Sequence, residues 1–155
     1  MEPLIILVGP TGVGKTDLAV NLALHFGAEI ISADSMQIYR GLNIGTAKPS
    51  IPERRGVPHH LIDVVPPDQP FTVVDYQEHY QTIKARLETG GILPLLTGGT
   101  GLYIRAVTQG FVFPATPANP ELRAALCQEA EISGREAVYQ RLAELDPNAA
   151  QKIHP

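Results

Sequence analysis

Eight consecutive residues near the N-terminus, Gly9-Pro10-Thr11-Gly12-Val13-Gly14-Lys15-Thr16, fill every fixed position of the pattern G-x-x-x-x-G-K-[ST]. Glycines let a backbone wrap closely, so that its N–H groups converge on an anion. A helix starting at the lysine adds the positive end of its dipole. Lys15 supplies a point charge to a terminal phosphate, and the Thr16 hydroxyl suits Mg²⁺. At average Gly, Lys, Ser and Thr usage, chance gives this pattern in roughly 0.5% of chains of this length. The residues therefore point to a phosphate-rich ligand, without saying which one. An ATPase or kinase would also need an acid at the end of an apolar strand to hold the metal. Asp34 after Ile30-Ile31 and Asp63 after Leu61-Ile62 are the candidates.

The elements that must position this loop are legible around it. Leu4–Val8 reads as a buried strand running into Gly9. Residues 15–26 read as a helix, with Leu18, Leu22, Ala23 and Phe26 at helical spacing and Gly27 as its stop. Residues 29–33 form a second apolar strand, so the chain opens as a parallel α/β sheet. Residues 35–70 break into turns and proline-bounded pieces, a length of loop that is usually functional or mobile. Thr72 and Asp75 have capping-box spacing, and Phe71 and Tyr76 sit where a hydrophobic staple would. That helix is predicted to reach about Thr89 and stop at Gly90-Gly91. Residues 92–96 then make a third strand, ending at Thr97-Gly98-Gly99-Thr100-Gly101.

After Pro114 the pattern becomes helical. Asn119-Pro120 and Asp146-Pro147 each place an N-cap before a proline at the first helical position. Ser133 and Glu136 have the spacing of a further capping box, with Val138, Leu142 and Leu145 on one face. The expected organisation is thus residues 1–114 as an incomplete P-loop α/β core and 115–155 as the start of an all-helical insertion. A three-strand parallel sheet with no closing strand reads as part of a larger protein.

Composition bounds the rest. The 155 residues suffice for one compact core, with 44% apolar and 18% charged residues, which excludes a disordered chain. The longest apolar run is far too short to span a bilayer, and no secretion leader is evident. A single cysteine, Cys127, fits a reducing cytosol, so a cytoplasmic location is expected. The net charge of −4 argues against a free-standing nucleic-acid binder. Residues 34–55 nevertheless carry Arg40, Lys48, Arg54 and Arg55 against Asp34 and Glu53, which reads equally as a basic patch or a solvated loop. His59-His60 lacks partners at metal-ligand spacing, so a turn-stabilising or core role is expected instead of zinc.

Five ordered segments carry a resemblance. They are Ile31 to Gly41 (ISADSMQIYRG) with Asn43 to Pro49 (NIGTAKP), Gly56 to Asp63 (GVPHHLID), Gly98 to Ile104 (GGTGLYI), Leu145-Asp146-Pro147, and Ile153-His154-Pro155. In this order they resemble the signature of tRNA dimethylallyltransferases across essentially the whole chain. The related enzymes that prenylate free adenine nucleotides share the phosphate loop and the Pro-His-His region. They carry a lysine after the aspartate and Gly-Gly-Ser where this chain has Ser35 and Gly98-Gly99-Thr100, so the tRNA enzyme is the better match.

The resemblance implies a P-loop NTPase-like parallel sheet flanked by helices. It also implies transfer of a dimethylallyl group from dimethylallyl diphosphate to N6 of the adenosine 3′ of the anticodon in tRNA. Residues Gly9 to Thr16 would then hold the donor's diphosphate with Mg²⁺, Thr16 being the metal residue. Asp34 maps onto the catalytic aspartate, with Lys15 and Thr100 stabilising the leaving group. Asp34, Ser35, Met36, Gln37, Thr100 and Arg123 match tRNA-contact positions. The expected partners are tRNA and dimethylallyl diphosphate, with no membrane and a monomeric chain. Family members are roughly twice this length, so this half alone could lack activity. A small-molecule P-loop kinase, an adenylate prenyltransferase and a nucleotide-dependent switch are the rival readings.

Overall fold

The computed structural model describes residues 3–113 and 119–154. The chain divides into two compact units, Met1–Phe113 and Pro114–Pro155. The first holds a four-stranded parallel sheet in the order β1-β4-β2-β3. Its strands are β1 (Ile5–Val8), β2 (Ala28–Ser32), β3 (His59–His60) and β4 (Leu93–Gly98). The helices of this unit are α1 (Lys15–Phe26), the single turn α2 (Ile51–Arg54), α3 (Val73–Thr89) and α4 (Gly101–Thr108).

Period-2 alternation along the central strands splits the apolar residues between two cores. Ile30 and Leu95 point to one side, where Ala19, Val20 and Ala23 of α1 bury them. Ile31 and Leu96 point to the other, into a cluster with Tyr76, Tyr80 and Leu87 of α3 and Tyr103 of α4. Strands buried on both faces read as unbroken apolar runs, as in parallel sheets generally. Tyr76 and Tyr103 stack nearly parallel, at 4.0 Å between ring centroids and 11° between planes.

α3 starts as its residues predict. The Thr72 hydroxyl accepts from Asp75 N–H, and the Asp75 carboxylate accepts from Thr72 N–H at 2.7 Å. α1 ends on Gly27 in the left-handed conformation. The sheet differs from expectation by one strand. Two histidines after Pro58 carry no apolar alternation, and β3 exists through its pairing with Ile30 and Ile31. α4 was also absent from the sequence reading, because glycines crowd its start.

The stretch between β2 and α3 is held by its own hydrogen bonds. Arg40 N–H donates to Val65 O, Asp63 N–H to Gln37 O, and Val64 N–H to Ile38 O at 2.6 Å. Its basic residues do not form a free patch. Lys48 Nζ, its side chain 4% exposed, donates to Tyr39 O and pairs with Asp63 Oδ1, both at 2.7 Å. Arg40 Nε donates to Asp63 O, Arg54 Nε to Pro49 O, and Arg55 to Asn21 Oδ1.

The second unit holds three helices, α5 (Pro120–Ser133), α6 (Arg135–Leu145) and α7 (Pro147–Ala150). Asn119 Oδ1 accepts from Leu122 N–H and Asp146 Oδ1 from Ala149 N–H, the two caps predicted. The Ser133–Glu136 box does not form. Ser133 is the last residue of α5, and Gly134 at φ 85° both ends α5 and begins α6 with no side-chain cap.

Candidate functional site

Parallel strands bring their carboxyl ends to one edge, and ligands in open α/β sheets bind in the crevice there. In register, Val8 lies opposite Gly98 and Ser32 opposite Thr97. The loops after β1, β2 and β4 therefore emerge together. A cleft of about 180 Å³ opens at this edge, lined in part by Thr11, Gly12, Gly14, Lys15, Thr16 and Asp34. Ser32, Gln37, Ala47, Pro49, His59 and Thr97 complete much of its wall.

The phosphate loop has the backbone its sequence requires. Gly12 at φ 87° and Gly14 at φ 83° occupy the left-handed region that a side chain would strain. Gly14 is also the N-cap of α1 and offers no side chain to the first turn. The leading N–H groups of α1, which no intrahelical carbonyl can reach, are thus left for an anion. Lys15 Nζ donates to Pro10 O, curling the ammonium over the loop. Val13 is 60% exposed at the tip.

Asp34 is placed by the close approach of β2 and β4. Ala33 N–H donates to Thr97 O at 2.7 Å, and Thr100 N–H donates to Ala33 O at 3.0 Å. A Cβ at Gly98 would lie 2.2 Å from Ala33 O and 2.4 Å from its carbonyl carbon, so only glycine permits this crossing. Asp34 Oδ1 accepts from Met36 N–H at 2.9 Å, closing a turn that aims the carboxylate. Thr100 Oγ1 accepts from Ser35 N–H at 2.9 Å and donates to Ser35 Oγ at 3.2 Å. Residues on both sides of Asp34 are therefore tied to the start of α4.

Of the residues singled out in the sequence, Thr11, Gly12, Gly14, Lys15, Thr16, Asp34 and Gln37 line the cleft together. Gly9 and Pro10 line a neighbouring depression with Gly99, Gly101 and Arg105. Ser35 and Thr100 sit behind the Asp34 turn, and Met36 is 48% exposed. Arg123 lies on α5 in the second unit, where it is exposed. The two candidate acids separate clearly: Asp34 faces the cleft, while Asp63 is occupied by Lys48.

Sequence reasoning missed Ser32, Ala47, Pro49, His59 and Thr97 as cleft residues. His59 Nδ1 donates to Val57 O at 2.8 Å. Burial, followed by the nearby Arg54 and His60 charges, holds its pKa below 6.5, against the opposing pull of the Val57 carbonyl. The ring is thus a neutral wall element. His60 Nε2 instead meets Glu29 at 2.6 Å on the β2 side. Among the described residues no cluster of three or more His, Cys, Asp or Glu could hold a metal. Thr16 and Asp34 offer hard oxygen atoms to the cleft, the donor type Mg²⁺ takes when it arrives with a phosphate ligand. No helix among the described residues is long and apolar enough to cross a membrane.

A family model described as IPP transferase matches residues 37–155. Curated relatives called tRNA dimethylallyltransferase include one from Roseiflexus sp. (strain RS-1), 52% identical over the whole chain and 51% of its own length. Another, from Symbiobacterium thermophilum, is 51% identical over 99% of this chain and 48% of its own. The chain thus spans about half the length of the curated relatives it matches. Among solved structures, the full-length tRNA isopentenylpyrophosphate transferase of Bacillus halodurans is 44% identical with a TM-score of 0.73, covering 100% of this chain and 51% of that one. A eukaryotic dimethylallyltransferase, described as acting on tRNA, gives a TM-score of 0.86 at 28% identity, covering 100% of this chain and 38% of that one.

Proposed function

This chain belongs to the IPP transferase family, and from that premise we propose that its cleft carries out the dimethylallylation of N6 of an adenosine in tRNA. The supporting observation is the juxtaposition of Lys15, Thr16 and Asp34 around one cleft at the carboxyl edge of the sheet. An anion cradle beside a carboxylate suits a reaction that needs a stabilised leaving group and a proton acceptor.

The adenine amino group is a poor nucleophile, because its lone pair is spread into the ring. In the proposed reaction its nitrogen bonds to the first carbon of the dimethylallyl group as the bond from that carbon to the diphosphate oxygen breaks. The proton lost from the nitrogen passes to the Asp34 carboxylate, acting as general base. The loop N–H groups, the α1 dipole and Lys15 stabilise the negative charge gathering on the departing diphosphate. Mg²⁺, held through the Thr16 hydroxyl, would neutralise part of that charge when bound. Thr100 supports the reaction by fixing the turn that carries Asp34. The base must leave its stack to reach such a cleft, as an adenosine in a tRNA loop can, and the family resemblance puts that adenosine 3′ of the anticodon.

Asp34→Asn tests this directly. The variant should keep its affinity for dimethylallyl diphosphate and lose transfer to tRNA by at least a hundredfold, read by mass analysis of the digested nucleosides. Retained turnover would remove Asp34 as the base.

A further inference from the structure

Ser32 is a buried polar residue, 3% exposed at the end of β2. Its carbonyl and its hydroxyl are both hydrogen-bonded. Its carbonyl accepts from the buried Tyr76 hydroxyl at 3.0 Å. Its hydroxyl donates to Gln37 Oε1 at 3.0 Å. The Thr46 and Ala47 carbonyls can only accept, so the amide nitrogen faces them and Oε1 faces the Ser32 hydroxyl. Nε2 is left to donate to Thr46 O at 3.2 Å and Ala47 O at 3.1 Å.

Those two carbonyls lie just before Lys48, whose buried ammonium binds Tyr39 O and Asp63 within the same loop segment. Ala47 sits at φ 49°, in the left-handed region that a non-glycine residue occupies only when its surroundings hold it there. Thr46 Oγ1 donates back to Leu42 O at 2.7 Å, a local contact that does not tie the stretch to the sheet. The Gln37 amide makes that tie. Ala47 and its neighbour Pro49 line the cleft together with Ser32, Gln37 and Asp34.

We propose that Ser32 is a positioning residue which, acting through the Gln37 amide, fixes the Thr46–Ala47 wall of the cleft and with it the fit of the acceptor base. The functional half of this inference rests on the cleft being the transfer site; the structural half does not. Without the Ser32 hydroxyl, Gln37 Oε1 loses its donor, and the amide keeps only its bonds to the Thr46 and Ala47 carbonyls. The wall loses its tie to β2, while the phosphate loop, reached from β1, is untouched.

The test compares the parent chain with Ser32→Ala, Gln37→Ala and the double variant. In nitrogen–proton correlation spectra, Ser32→Ala should make the Gln37 side-chain amide exchange with solvent about tenfold faster. It should shift the Thr46, Ala47 and Lys48 signals and leave those of Gly12, Gly14 and Lys15 in place. In the Gln37→Ala background the same substitution should move the 46–48 signals no further. In transfer assays Ser32→Ala should raise KM for the acceptor RNA about fivefold, with kcat and dimethylallyl diphosphate affinity unchanged.

Unaltered Gln37 exchange, or equal shifts in both backgrounds, would overturn the proposal even if transfer occurs. So would a fall in kcat or donor affinity with an unchanged KM for RNA. A parent chain that binds ATP in preference to dimethylallyl diphosphate yet shows the predicted spectral coupling would sink the reading of the cleft and leave the Ser32–Gln37 device standing.

Discussion

Lys15 and Asp34 come to the cleft from different strand ends, and their chemistries are separable. Lys15 contributes charge to an anion, so Lys15→Ala should weaken dimethylallyl diphosphate binding by about tenfold to a hundredfold, the range for a contact to a charged group at about 1.5–3 kcal/mol. Isothermal titration of a variant with parental circular dichroism checks this. His59 makes a pH-dependent contribution. Its folded pKa lies below 6.5, because burial opposes the charged ring. The unfolded chain therefore takes up the proton first. Stability from this residue is complete above pH 6.5 and is lost as pH falls from there through the folded value. Urea midpoints measured at pH 7.5 and 5.5 should drop more for the parent than for His59→Gln. At this scale the left-handed glycines and the cleft positions of Gly12, Gly14, Lys15 and Thr16 were legible, because the motif is contiguous and local. Strand position alone did not separate Asp34 from Asp63, and only the resemblance favoured Asp34; the structural difference lies in Lys48, fifteen residues before Asp63 in sequence and 2.7 Å away in space.

Among the elements, the crossing of β2 and β4 does the most to build the site. It aligns the turn bearing Asp34 with the start of α4, and it depends on Gly98 having no Cβ. Gly98→Ala should destabilise the protein by more than about 3 kcal/mol, because backbone atoms of Ala33 cannot step aside as a side chain would. A urea titration followed by circular dichroism would show a lost or strongly shifted transition. A variant with parental stability would mean that the strand ends are looser than described. α1 and α3 could be read almost residue by residue, from apolar spacing, Gly27 and the Thr72–Asp75 box. β3 could not, since two histidines acquire strand geometry only by pairing with Ile30 and Ile31. The Ser133–Glu136 pattern misled for a related reason. A glycine between two helical segments sets the boundary through backbone freedom, whatever capping residues flank it.

At the scale of the molecule, the apolar pattern pointed correctly to a parallel sheet, though it lacked the short strand β3. The strand order could not be read, because register is a property of long-range pairing. The first unit assembles the phosphate loop, Asp34 and the cleft wall from its own residues. Its central claim is that this cleft accepts a prenyl diphosphate as its anion. The most direct test is calorimetric titration of the chain in Mg²⁺ with dimethylallyl diphosphate and with ATP in parallel. Saturable binding of dimethylallyl diphosphate is expected, tighter than that of ATP and weakened about tenfold to a hundredfold by Lys15→Ala. Tighter binding of ATP, with release or transfer of its terminal phosphate, would contradict it and make the chain a kinase-like protein.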